Sequence, residues 1–263
     1  MSVLAPAYRL PTADQLVKYP ALEQFPGVMI WHKAARAPYY VENSFRGLHH
    51  AHKLGANAID GDGNLSAEAI ALLTHWGKPL EHDFHDPAPM IHRMPRNTPT
   101  RRMALPEVGR LRAPGGFRIR TLGDALGHAA GLGMSIGYEA KDDPRFEDVE
   151  VWERIRLSAD VAHAHVFGMT LQHLGGERHA AARCRAMRAA GVPALLLNRG
   201  PVNWSIWGDA LDGYKGSTAH YRGHPAHVVR LGLGAGDATR YGASCHDGNV
   251  HQVKAAIARA SRR

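Results

Sequence analysis

The sequence predicts an α/β fold, and a (β/α)8 TIM barrel is the arrangement that its pattern favours. Short apolar runs alternate with helical segments along the chain, which is typical of a parallel sheet covered by helices. A length of 263 residues suits one such barrel. Polar residues also stand at the ends of several predicted strands, where a barrel would bring them to one mouth. A doubly wound open sheet is the alternative.

Seven strands are predicted from short runs rich in apolar and branched residues. In the first, Val28, Ile30 and His32 share one face because side chains alternate along a strand. The eighth strand that a barrel needs is expected within 199–225 or 232–247. The seven predicted strands cover 28–32, 58–62, 69–75, 134–141, 164–169, 194–198 and 226–231.

Helices are predicted between most of these strands. Asn43 or Ser44 can cap the first helix and Gly55 can end it. Thr121 can open the second, with Asp124 in its first turn. The predicted helices cover 44–54, 121–130, 146–157, 177–190 and 250–260.

One stretch does not follow the alternation. Residues 76–117 are rich in Pro, Arg and His and are too long for an ordinary connection. We therefore expect a single domain over 1–263, with 76–117 as an insertion after the third strand that forms a lid, a binding loop or a small subdomain.

Composition excludes several classes of protein. Hydrophobic residues make up 44% of the chain, which argues against disorder, and no apolar run approaches the ~20 residues that span a bilayer. The N-terminus lacks the pattern of a signal peptide, so a cytoplasmic location is expected. The net charge is +8, but no nucleic-acid-binding motif accompanies it. The sequence does not predict an oligomeric state.

Three acidic residues are candidates for a metal site. Asp60 and Asp62 lie two apart at the end of a predicted strand, so both carboxylates point the same way. Such a pair can bind a hard divalent cation, Mg²⁺ or Ca²⁺, and Glu139 can complete the shell. The alternative is an exposed Asp-Gly-Asp-Gly turn.

Basic and polar residues supply the remaining chemistry. His32 and His75 can divide the roles of acid and base near pH 7. Lys141 can meet a phosphate oxygen or stabilise charge in the transition state. Glu42 and Asn43 can act as a capping pair at the start of a helix. Alternatively, Asn43 can brace the metal-side loop by hydrogen bonds and contribute to substrate or phosphate binding.

The order and spacing of these residues resemble the glycerophosphodiester phosphodiesterase family. That family has His-Arg-Gly after its first strand, Pro-Glu-Asn-Thr at its first helix, then Glu-x-Asp, His-Asp, a Thr-Leu-x-Glu-Ala-Leu-like helix and Glu-x-Lys. The resemblance covers about residues 28–141. The counterparts here are His32-Lys33-Ala34, Val41-Glu42-Asn43-Ser44, Asp60-Gly61-Asp62, His75-Trp76, Thr121-Leu122-Gly123-Asp124-Ala125-Leu126 and Glu139-Ala140-Lys141.

The resemblance implies a TIM-barrel hydrolase of lipid metabolism that cleaves a small glycerophosphodiester or related phosphodiester with a divalent metal. It implies that His32 and His75 are the acid–base pair and that Lys141 contacts the phosphate. It also implies the metal ligands, which are Asp60, Asp62 and Glu139.

Two departures from the family pattern bear on activity. Lys33 replaces the family's arginine and keeps a charge for the phosphate without the bidentate geometry. Trp76 replaces an aspartate, so no sequence neighbour orients His75. An alternative is therefore a weakened or inactive barrel that binds phosphate or a polyanion. Another is a zinc hydrolase built on His82-x-x-His85-Asp86.

Overall fold

The computed structural model describes residues 19, 28–33, 42–82, 84–87, 94–198, 200–246 and 248–263. Ala34 and Val41, which belong to the motifs above, lie outside these residues. The strands of the described part are β1 (Val28–His32), β2 (Ala58–Leu65), β3 (Ala71–Leu73), β4 (Arg120–Thr121), β5 (Ser135–Ala140), β6 (Val166–Leu171), β7 (Ala194–Leu197), β8 (Gly213–Lys215), β9 (Val229–Leu231) and β10 (Gly242–Cys245).

Helices join most of the parallel strands. Ser44 caps the first, its hydroxyl accepting a hydrogen bond from the Gly47 N–H. The helices of the described part are α1 (Phe45–Lys53), α2 (Leu105–Arg110), α3 (Leu122–Gly131), α4 (Val149–Val161), α5 (Glu177–Ala189), α6 (Trp204–Trp207) and α7 (Val250–Ala260). Among the described residues no helix has the length and apolar character needed to cross a bilayer.

Eight strands pair in parallel in the order β10-β1-β2-β5-β6-β7-β8-β9. This order follows the chain, as in a TIM barrel, whereas a doubly wound sheet reverses its order part-way. A parallel bridge between Gly232 and Ala243 joins the two ends of the order. The predicted (β/α)8 fold is confirmed. The stretches 199–225 and 232–247, in which the eighth strand was expected, each contain a barrel strand, namely β8 and β10.

The predicted strand over 69–75 is wrong as a barrel strand. It corresponds to β3, which pairs antiparallel with β2 and with β4. Only five residues separate β2 from β3, and a parallel connection needs a dozen or more. A tight turn, in which the Ser66 N–H donates to the Ile70 carbonyl, folds the chain straight back.

The glycines of β2 explain its Asp-Gly-Asp-Gly sequence. A Cβ at Gly61 would lie 2.8 Å from a Leu73 methyl carbon, and one at Gly63 would lie 2.5 Å from the Tyr138 ring. These close approaches admit only glycine on the outer face, while the aspartates point to the lumen. All eight residues of β2 are buried, so the interpretation as an exposed turn is wrong.

Two apolar cores hold the barrel, and a third cluster supports the insertion. Lumen-facing residues such as Ile30, Phe167 and Leu195 fill the barrel, and a larger cluster packs the helices against the strands. In the insertion, Leu72 of β3 packs with Met103 and Leu111 and their neighbours. The described part of 76–117 therefore has a small core of its own, and its role as a lid stays a prediction.

Candidate functional site

A cavity of about 400 Å³ opens at the mouth formed by the carboxyl ends of the parallel strands. This is the end of a TIM barrel where catalytic groups are found. Asn43 lies beside the cavity and contacts Asp62. The other seven predicted site residues line the cavity, and they are His32, Lys33, Asp60, Asp62, His75, Glu139 and Lys141.

Asp60 forms a buried ion pair that the sequence did not reveal. The Lys215 Nζ, at the end of β8, lies 3.1 Å from Asp60 Oδ2. Asp60 is 1% exposed and Lys215 is 7% exposed. The other carboxylate oxygen, Asp60 Oδ1, is buried without a hydrogen-bond partner. One oxygen of Asp60 is therefore left to meet a ligand.

Lys141 bridges the other two predicted metal ligands. Its Nζ lies 2.6 Å from Asp62 Oδ1 and also contacts Glu139 Oε1. Burial, aided by the charges of Asp60 and Asp62, raises the pKa of Glu139 to about 7, although Lys141 opposes the shift. The charge of Lys141 and its hydrogen bond lower the pKa of Asp62 despite its burial. A positive charge at this point therefore stabilises closely spaced carboxylates.

Asn43 fixes the position of Asp62 through two hydrogen bonds. Its side-chain amide donates to Asp62 Oδ2 at 3.2 Å, and its carbonyl oxygen accepts from the Asp62 N–H at 3.0 Å. Asn43 has φ +59°, a left-handed conformation that asparagine tolerates better than most residues. The Asn43 N–H donates to the carbonyl of Lys33, which ties this turn to the end of β1.

His75 has an acidic partner that is distant in the sequence. Its Nδ1 lies 3.1 Å from Glu42 Oε2, and the Lys33 Nζ lies 3.1 Å from the same ring nitrogen and 3.3 Å from Glu42 Oε1. Burial opposes ionisation of Glu42, but the His75 hydrogen bond and the Lys33 charge hold the pKa of Glu42 below its usual range. Glu42 thus supplies the orienting carboxylate that Trp76 cannot.

Trp76 contributes packing in place of that carboxylate. Its ring centroid lies 4.2 Å from the His75 ring and 3.9 Å from the His82 ring, on which it stacks. The backbone also holds this segment near the acids, since the Thr74 N–H donates to the Asp62 carbonyl at 2.9 Å. The antiparallel β3 therefore brings His75 to the rim, although β3 is not a barrel strand.

His32 stands at the end of β1 and lines the same cavity. Partial desolvation in the pocket and the nearby charges of Lys215 and Lys33 lower the pKa of His32, although Asp60 opposes the shift. A lowered pKa favours the neutral imidazole at neutral pH, which is the form that accepts a proton.

One group of side chains in the described part of the chain has the spacing of a metal site. Ligand atoms of Glu42, Asp62 and His75 all lie within 4.8 Å of one another. This trio shares only Asp62 with the predicted ligands Asp60, Asp62 and Glu139. Sequence reasoning assigned Glu42 to helix capping, and no local signal linked it to His75, which lies 33 positions away.

The histidines of the insertion do not form a metal-spaced group among the residues that the structure describes. His82 stacks on Trp76, and His85 pairs through its backbone with Arg112. Asp86 forms an ion pair with Arg110 at 3.0 Å. These contacts give no support to the zinc interpretation.

The solved structures similar to this chain include glycerophosphodiester phosphodiesterases. The chain is similar to one from Parabacteroides distasonis, with a TM-score of 0.63, 13% identity and coverage of 89% of this chain and 99% of that one. A putative glycerophosphodiester phosphodiesterase from Galdieria sulphuraria gives a TM-score of 0.61 at 14% identity, with 88% and 98% covered.

A third similar structure is an Oleispira antarctica phosphodiesterase in complex with its product, sn-glycerol-3-phosphate. It gives a TM-score of 0.58 at 15% identity and covers 90% of this chain and 99% of that one. No protein-family model and no curated protein matches the sequence. At these identities the similarity establishes the fold alone, which is a TIM barrel.

Proposed function

We propose that this protein is a metal-dependent phosphodiester hydrolase that cleaves a glycerophosphodiester or a related phosphodiester. The observation that carries the proposal is one cavity lined by two imidazoles, three buried carboxylates and three lysines. The fold shared with glycerophosphodiester phosphodiesterases supports the same conclusion. A cavity of about 400 Å³ also suits a small-molecule substrate.

The donor set fits a hard divalent cation. Asp60, Asp62 and Glu139 offer the oxygen ligands that Mg²⁺ and Ca²⁺ prefer, and Asp60 Oδ1 is a buried acceptor without a partner. We assign the metal to these three, with Glu42, Asp62 and His75 as the competing set. When bound, the cation would neutralise phosphate oxygens and orient the attacking group.

The two histidines would divide the proton transfers. His32, with its lowered pKa, is neutral near pH 7 and would accept the proton of the attacking water or substrate hydroxyl. His75 would donate a proton to the leaving alkoxide. The Glu42 carboxylate, 3.1 Å from His75 Nδ1, would orient the imidazole for that transfer.

The lysines and Asn43 would hold the phosphate side of the site. Lys141 contacts Asp62 and Glu139 here, and its ammonium would meet a phosphate oxygen of the substrate. Lys33 supplies a further positive charge at the cavity wall. Asn43 keeps Asp62 oriented, and its role toward substrate is part of the proposal.

Alanine variants test the assignment. His32→Ala and Asp62→Ala should each lower release of the alcohol from a glycerophosphodiester by about 10²-fold or more, because the first removes the proposed base and the second a proposed metal ligand. His52→Ala is the matched control, since His52 is an exposed residue of α1 outside the cavity. Near-normal turnover of either site variant would overturn the roles proposed.

A second candidate function is binding of phosphate or a polyanion without turnover. It is favoured by the ion pairs that Lys141 and Lys215 already make with the three carboxylates. Turnover of a chromogenic diester during a metal titration separates the two functions. Metal-dependent product supports the enzyme, whereas phosphate binding without product supports the binding protein.

A further inference from the structure

Three leucines line one side of the cavity. Leu171 ends β6, Leu197 ends β7 and Leu233 follows β9, and all three line the cavity. Leu171 and Leu197 continue the lumen-facing rows of their strands, because side chains two apart share a face. We call Leu171, Leu197 and Leu233 the leucine wall. The carboxylates and His32 come from β1, β2 and β5. The leucines come from the opposite side, where Asn198 and Lys215 also line the cavity and the Lys215 ammonium is paired with Asp60.

Leu233 is the open end of this wall. It is 49% exposed, whereas Leu197 is 7% exposed and packs with the barrel core. Three other large apolar side chains of the described residues are exposed to a similar degree, and none of them lines this cavity. An isolated exposed leucine is ordinary, but one that extends an apolar wall out of a polar cavity offers a surface for an apolar group.

We infer that the cavity accepts a phosphodiester whose alcohol carries a single acyl chain. The inference rests on the proposed function and names its substrate class. The phosphate lies on the side of His32 and Lys141, and the first methylenes lie along the leucine wall. A cavity of about 400 Å³ holds a phosphate, a glycerol and a short length of chain, and the remaining chain leaves across Leu233.

Two diesters with the same headgroup test the inference. One is the deacylated glycerophosphodiester and the other is its single-chain lysophospholipid, with a short acyl chain kept below its micelle concentration. Wild-type protein should cleave the acylated diester with a kcat/KM about tenfold higher or more, because each buried methylene adds several-fold to binding. An equal or lower kcat/KM for the acylated diester would overturn the inference and leave the hydrolase intact.

A variant of Leu233, with a matched control, tests whether the preference for the acylated diester depends on the leucine wall. Leu233→Ser should lower the ratio of the two kcat/KM values about tenfold. Val161→Ser changes a residue of α4 that is 52% exposed and does not line the cavity, and it should leave the ratio unchanged. An unchanged ratio in Leu233→Ser contradicts the inference.

If neither diester is cleaved, the proposed function fails, but the leucine wall can still be tested. Calorimetry then compares the binding of the same two diesters. Tighter binding of the acylated diester, lost in Leu233→Ser and kept in Val161→Ser, supports an apolar subsite. Equal binding of the two diesters overturns it.

Discussion

The ammonium of Lys215 lies 3.1 Å from one carboxylate oxygen of Asp60, and both side chains are buried at the mouth of the barrel. The two residues are 155 positions apart and stand on β8 and β2. A lysine at this depth is stable as a cation only with a counter-charge. The pair thus links opposite sides of the barrel and leaves Asp60 Oδ1 as its free acceptor.

Removal of Lys215 should destabilise the fold. Lys215→Met leaves the Asp60 carboxylate buried without its partner, which costs about 3–5 kcal/mol for a broken buried pair. The double variant Asp60→Asn with Lys215→Met should recover most of that loss, since no charge is then left unpaired. Urea denaturation of the single and double variants gives the coupling. A loss below about 1 kcal/mol in Lys215→Met would contradict a buried pair.

Metal affinity should depend on Glu139 and much less on Glu42. Glu139→Gln removes a proposed ligand charge and should weaken Mg²⁺ or Ca²⁺ binding by at least about tenfold. Glu42→Gln should change it by no more than about threefold, because Glu42 orients His75 in this account. Isothermal calorimetry measures both. The reverse ranking would move the metal to Glu42, Asp62 and His75.

Asn43 should act through its hydrogen bonds to Asp62. Asn43→Ala and Asn43→Gly both remove those bonds and should weaken metal binding about tenfold. The two differ in the backbone, because glycine suits φ +59° and alanine does not. Asn43→Gly should therefore be about 1 kcal/mol more stable than Asn43→Ala. Wild-type metal affinity in Asn43→Gly would show that the backbone conformation, and not the side chain, positions Asp62.

The pH dependence of kcat/KM should show the lowered pKa of His32. A base must be unprotonated, so the rate falls as the pH drops through its pKa. Desolvation and the charges of Lys215 and Lys33 lower the pKa of His32. The decrease in kcat/KM should therefore be centred at a pH below 6.5, the ordinary pKa of an imidazole. Lys33→Met removes one of these charges and should move the fall to higher pH. If kcat/KM decreases at the same pH in Lys33→Met as in the wild type, the result would argue against His32 as the titrating base.

Several site residues could be predicted because strand periodicity alone brings them together. Asp60 and Asp62 share a face through their two-residue spacing, and Glu139 and Lys141 do so in the same way. Parallel strands ending at one mouth then bring the two pairs close. Local pattern was sufficient there because β2 and β5 are neighbours in register, with Asp62 opposite Glu139.

Contacts between distant loops could not be predicted in this way. The Glu42–His75 pair depends on how two connections fold over the rim, and neither has a periodic pattern. Lys215 was missed because β8 has only three residues and two are glycine and lysine, which are not typical of strands. The predicted strands 58–62 and 69–75 are only six residues apart, which is too short for a parallel connection, and the chain accordingly forms a hairpin there.

A crystal soaked in Mn²⁺, a divalent ion with a usable anomalous signal, tests the central claim most directly. The account predicts a peak coordinated by Asp60, Asp62 and Glu139, with the Lys141 ammonium displaced from the two carboxylates that it now bridges. A peak at Glu42, Asp62 and His75, or no peak at the rim with Lys141 and Lys215 still paired, would contradict it.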